Sequence, residues 1–200
     1  MKKYRLKKSI LIYIVFVILS GCKTKTDSNL QTFHNEDFKW TITIPEKFTT
    51  VSPDEWGKLQ NKGAQAVEKT YSEKVENQST AIFVFKNGEY NYLESNYQQF
   101  DPEVDGDYRE SCKVVNEIVY ETFRTQIPNA KIDSASFVEK ISGLDFHTFK
   151  VALDLPNGMK IHTFTYNRLF GNKDFAINIT YVDEEAGERM KEAWFGSKFK

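Results

Sequence analysis

A chain of 200 residues with 27 basic and 28 acidic side chains is nearly neutral, and lacks the basic excess that a nucleic-acid-binding face requires. Two cysteines are too few for a disulfide framework. The length allows one domain with a proper core after any leader is set aside.

The first element is a leader. "MKKYRLKK" carries five basic residues, and an apolar run of ten follows from Ile10 to Leu19. Crossing roughly 30 Å of hydrocarbon takes about 20 helical residues, whereas about 7 to 15 suit a signal-peptide h-region. The run ends in Leu19, Ser20, Gly21 and Cys22, which resembles the bacterial lipobox. That resemblance implies cleavage between Gly21 and Cys22, a diacylglyceryl group on the Cys22 thiol and an acyl chain such as palmitate on the new amino terminus. The expected partner is then the membrane, through lipid on Cys22, and the expected location is the cell envelope. Lys23 stands where some two-membrane bacteria place an inner-membrane retention Asp, which favours the outer membrane in such a host. Cleavage would leave 22 basic against 28 acidic side chains, so anionic lipid adds no electrostatic hold. Residues 22–32 are polar and form a flexible tether, with a coil reach of about 17 Å.

The domain over 33–200 opens with a strand, "FKWTITIP", in which Phe38, Trp40, Ile42 and Ile44 alternate with polar residues until Pro45. A helix follows, with Ser52 as N-cap, Pro53 at its first position and Glu55 completing a capping box. "TAIFVFK" is apolar on both faces and predicts a buried strand. An insert at about 87–107 comes next, and Tyr90, Tyr92 and Tyr97 among its Asn, Gln and Ser residues resemble an exposed binding loop. A helix from about Tyr108 to Gln126 places Cys112, Val115, Val119 and Phe123 on one face.

The C-terminal half predicts a meander. A two-residue turn at Asn157 and Gly158 sets Leu153 opposite His162, Val151 opposite Phe164 and Phe149 opposite Tyr166. A turn at Gly171 and Asn172 sets Tyr166 opposite Ile177, Phe164 opposite Ile179 and His162 opposite Tyr181. These registers share one apolar face, which a one-residue slip would reverse. Before the meander, "SFVEKI" closes through Gly143; after it, Asp183 caps a last helix. The fold class is α+β: an antiparallel sheet covered by helices.

"TITIPEKF", "STAIFVF", "EKISGLDFHTFKVAL", "FAINITYVDE" and "WFGSKF", in that order, resemble the PsbP-like family of α/β/α sandwich domains over about 38–199. The resemblance implies a non-catalytic partner or accessory domain and carries over no site residue.

Three places can hold chemistry. Asp101, Glu103, Asp105 and Asp107, with Gly106, follow the opening of a calcium loop, with Leu93, Tyr97 and Phe100 as an entering helix. Position 12 is Cys112 where a bidentate Glu is needed, so a solvated acidic loop is the competing interpretation. His147 falls opposite Arg168 in the predicted register, an arrangement that would suit an anion pocket or the general base of a hydrolase or transferase. Tyr92 and Tyr97 would form a patch for an envelope protein or a small ligand. No nucleophile elbow, phosphate loop or metal-spaced His pair occurs. A lipid-anchored binding domain without cofactor is the expectation, with the enzyme and the weak calcium site as alternatives.

Overall fold

The computed structural model describes residues 31–75 and 77–200. The expected signal peptide, the expected lipobox with Cys22 and nearly all of the expected tether lie outside the described residues.

A small sheet and two helical layers flank one large sheet, with a separate apolar cluster on each of its faces. Strand β1 (Thr32–Asn35) pairs with β2 (Trp40–Thr43), and β2 in turn with β10 (Lys198–Phe199), to make a small three-stranded sheet. The large sheet is antiparallel, in the order β3 (Thr49–Thr50), β4 (Thr80–Asn87), β5 (Asn91–Gln99), β9 (Lys173–Tyr181), β8 (Lys160–Phe170), β7 (Leu144–Asp154), β6 (Lys131–Ile141). Helices α1 (Pro53–Tyr71) and α3 (Tyr108–Gln126) pack together on one face. The short α2 (Pro102–Asp105) precedes α3, and α4 (Glu184–Phe195) lies with the small sheet on the other face.

The α4 side is the dense core. Trp40 and Trp194 are fully buried, with ring centroids 6.1 Å apart, and Phe83, Phe146 and Phe175 close around them. The Trp40 ring stacks on Phe83 and the Trp40–Phe175, Trp40–Trp194 and Phe146–Trp194 pairs meet edge to face, arrangements that aromatic quadrupoles favour. Met190 and Ala186 of α4 reach the same centre. Gly187 lies so close to the Tyr181 ring that a Cβ there would come within 2.6 Å of it. On the opposite face only β7 offers a strongly apolar stripe: Phe149, Val151 and Leu153 pack against Val119, Tyr120 and Phe123 of α3. Neither α1 nor α3 has a fully buried residue.

Local signals placed α1, α3 and α4 correctly, whereas the short α2 was not anticipated. Ser52 Oγ accepts from the Glu55 N–H at 3.3 Å, Asp107 Oδ1 from Glu110 at 3.0 Å and Asp183 Oδ1 from Ala186 at 2.7 Å. Each satisfies an orphan donor of a first turn.

Two expectations fail. The insert is no loop: Asn91–Gln99 is an interior strand, β5, paired with β4 on one side and β9 on the other. Glu94, Asn96 and Gln98 occupy one face of a strand and further polar residues sit at the other, so its composition resembles a loop. Leu93 and Tyr97 consequently belong to a strand, and no helix enters the acidic segment through them.

The β7–β8 register is also shifted by one residue. Leu153 faces Ile161, Val151 faces Thr163 and Phe149 faces Thr165, across a five-residue loop instead of a two-residue turn. A tight turn at Asn157 and Gly158 would need Pro156 to donate an N–H that proline lacks. The chain closes one residue earlier, with the Leu155 N–H donating to the Met159 carbonyl at 2.9 Å. The β8–β9 register is as expected, with His162 opposite Tyr181 and Tyr166 opposite Ile177.

Candidate functional site

The register shift sends the apolar stripe of β7 towards α3 and leaves the middle of that sheet face to polar residues. Strand alternation presents Glu94 and Asn96 from β5, Asp174 and Asn178 from β9, and Thr165 and Asn167 from β8 on this face, while Leu93, Phe175, Ile177 and Tyr166 point into the aromatic core. Helix α3 roofs this stripe, and a cavity of about 230 Å³ lies between them. Its walls combine these amides and hydroxyls with Val115, Val119 and Phe149.

The polar side chains form two hydrogen-bonded groups, one around Glu94 and one around Asp174. Asn178 Nδ2 donates to Glu94 Oε2 at 2.5 Å and Asn96 Nδ2 to Glu94 Oε1 at 2.7 Å. Thr165 Oγ1 donates to Asn178 Oδ1 at 2.8 Å, which fixes the orientation of that amide. At the other end Tyr108 Oη donates to Asp174 Oδ1 at 2.7 Å. No cation pairs with Glu94 or Asp174 among the described residues.

Burial governs the electrostatics. Glu94 is only 3 % exposed, and desolvation raises its pKa against the two amide hydrogen bonds that favour the carboxylate. Asp174 is raised for the same reason, against hydrogen bonds from Tyr108, Asn167 and Gln98. Burial together with the adjacent Asp174 pushes the Tyr108 hydroxyl far up. The Cys112 thiol, free and half-buried, is pushed up to about 11, again chiefly by burial. A thiol so held is a poor nucleophile.

The residues singled out from the sequence fall elsewhere or apart. Tyr92 and Tyr97 sit on opposite faces of β5 and cannot form one patch. Tyr92 lies 6.4 Å from the Trp56 ring of α1, whereas Tyr97 packs at 5.7 Å on Phe38 in the core. His147 faces Asn167, not Arg168, because of the shifted register. Its pKa is lowered by burial first and then by the Arg109 and Arg168 charges, and its ring lies 5.7 Å from Tyr108 at the rim of the helix-covered face. Arg168 points to the other face, where its guanidinium donates to the Asp145 carbonyl at 2.7 Å and lies over Phe170.

The acidic segment forms helix caps. Asp101 Oδ1 accepts from the Glu103 N–H, Asp105 Oδ2 from the Asp101 N–H, and Asp107 caps α3. Among the described residues no three acidic, His or Cys side chains converge as metal ligands would.

The Glu94 network was missed because its members come from three strands. Its signal is nevertheless present: in "NYLESNYQQ" and "DFAINITY" polar residues take every second position opposite apolar ones.

The solution structure of cyanobacterial PsbP, CyanoP, from Synechocystis sp. PCC 6803 is similar to this chain, with a TM-score of 0.56 and 8 % identity over 91 % of this chain and 99 % of that one. No protein-family model and no curated protein matches the chain. The fold is thus PsbP-like, an antiparallel sheet between helical layers.

Proposed function

We propose that this is a lipid-anchored protein of the bacterial cell envelope whose PsbP-like domain binds without catalysing, and that the cleft under α3 takes a small, donor-rich polar ligand. The cleft carries the proposal. Among the cleft-lining groups, Asn96 commits an amide donor to Glu94 and Asp174 accepts from Tyr108, so the Asn96 amide oxygen and the remaining Asp174 lone pairs are left to accept from a ligand. Polyols and protonated amines suit such a lining, and anions do not. The raised Cys112 thiol and the separation of His147 from Arg168 argue against an acyl- or phosphoryl-transfer site. The membrane attachment rests on the lipobox.

Two experiments test this. Full-length Cys22→Ser protein is expected to lose palmitate labelling and to move from the detergent to the aqueous phase on partitioning; unchanged behaviour would remove the anchor. Melting in the presence of a hexose, a disaccharide and an aliphatic diamine tests the cleft. At about 100-fold above Kd a bound ligand adds about 2.7 kcal/mol of stability. The rise should vanish in Asn178→Ala, and no rise with any of the three would sink the ligand class.

A further inference from the structure

The two edges of the large sheet are treated very differently. The β3 edge is two residues long, too short to template another strand. The β6 edge runs for eleven residues, Lys131–Ile141, paired to β7 without a bulge along its whole length. Every residue from Asp133 to Val138 is exposed, on both faces of the strand, including Phe137 at 42 % and Val138 at 54 %. Neither Pro nor a covering element blunts this edge among the described residues. It thus keeps a row of unpaired backbone groups beside exposed apolar side chains.

We propose that β6 pairs antiparallel with β6 of a second copy, about a two-fold axis normal to the sheet passing beside Ala135. Such an axis keeps each face of the sheet continuous, because directly opposed residues then share a face. With Ala135 at the centre, Lys131 meets Glu139 of the partner, Ile132 meets Val138 and Ser134 meets Ser136, each pair occurring twice. The flanking charges are complementary and Ile132 coincides with Val138, while Asp133 falls opposite Phe137. Moving the axis one residue on, to Ser136, would instead set Asp133 against Glu139. Like charges directly opposed are destabilising, so the charges favour the Ala135 register over the Ser136 one, and among these registers the Ala135 one alone sets Lys131 against Glu139.

The test uses full-length protein in membranes, in a Cys112→Ser background, with a short thiol-to-thiol cross-linker. The background alone controls for any reaction through Cys22. Ala135→Cys should give a cross-linked dimer; Lys131→Cys alone should not, but co-expressed with Glu139→Cys it should. Ala135 is exposed, so its substitution does not disturb folding. Glu139→Lys should weaken self-association about tenfold, and Glu139→Lys/Lys131→Glu should restore it. A monomer in detergent that Ala135→Cys leaves uncross-linked would overturn the proposal, as it would if the edge were occupied by a foreign strand or by residues 22–31. Equal cross-linking at Lys131→Cys alone would overturn the register.

Discussion

Two residues set the tolerances of the domain. Gly187 has no room for a side chain against Tyr181, whose ring is itself stacked on His162 at 5.0 Å. Gly187→Ala must displace α4 or that ring, and should cost about 1–3 kcal/mol in denaturant melts. Glu94 is a buried carboxyl with a raised folded-state pKa, so the folded state holds its proton more tightly than the unfolded state does. Its contribution to stability is fully present below the ordinary value of 4.5 and is lost as pH rises through the folded value. Glu94→Gln should therefore gain stability relative to wild type as pH is raised from 4.5 through the folded value, measured by the difference in melting midpoint. A constant difference across pH would show that Glu94 is not the titrating group.

At the scale of elements, the two helical layers are held with unequal strength. Helix α4 buries Ala186, Gly187, Met190 and Trp194, whereas α1 and α3 have no fully buried residue. Amides of α1 and α3 should therefore exchange with deuterium well before those of β5, β9 and α4, a ranking readable by mass spectrometry. The acidic segment belongs at this scale too. The carboxylates of Asp101, Asp105 and Asp107 already accept backbone N–H groups, so calcium should leave the melting midpoint unchanged; a calcium-dependent rise would reinstate a metal loop. Helix starts were legible because each depends on three or four adjacent residues, as at Ser52, Asp107 and Asp183. The β8–β9 turn was legible for the same reason. Strand β5 was not, because Glu94, Asn96 and Gln98 look like loop residues until β9 supplies partners for them.

For the whole molecule, the misjudged β7 register has a general cause. A sheet covered on one face has only one place for its apolar residues, and alternation then fixes the register. Here both faces are covered, so Phe149, Val151 and Leu153 find a second apolar layer on α3 and a slip of one residue is not penalised by solvent. The cleft exists because that second layer is incomplete: α3 covers β7 with apolar contacts and continues over the amides of β8, β9 and β5 without filling the space.

The placement of the three tryptophans provides the domain with two separate optical reporters. Trp40 and Trp194 emit from the fully buried centre and will change only when the whole domain opens. Trp56 rides on the loosely held α1, next to Tyr92 on the same strand as Glu94. With the two core indoles replaced by Phe, the emission of Trp56 alone would follow the helical roof lifting or settling, while the rest of the protein stays dark.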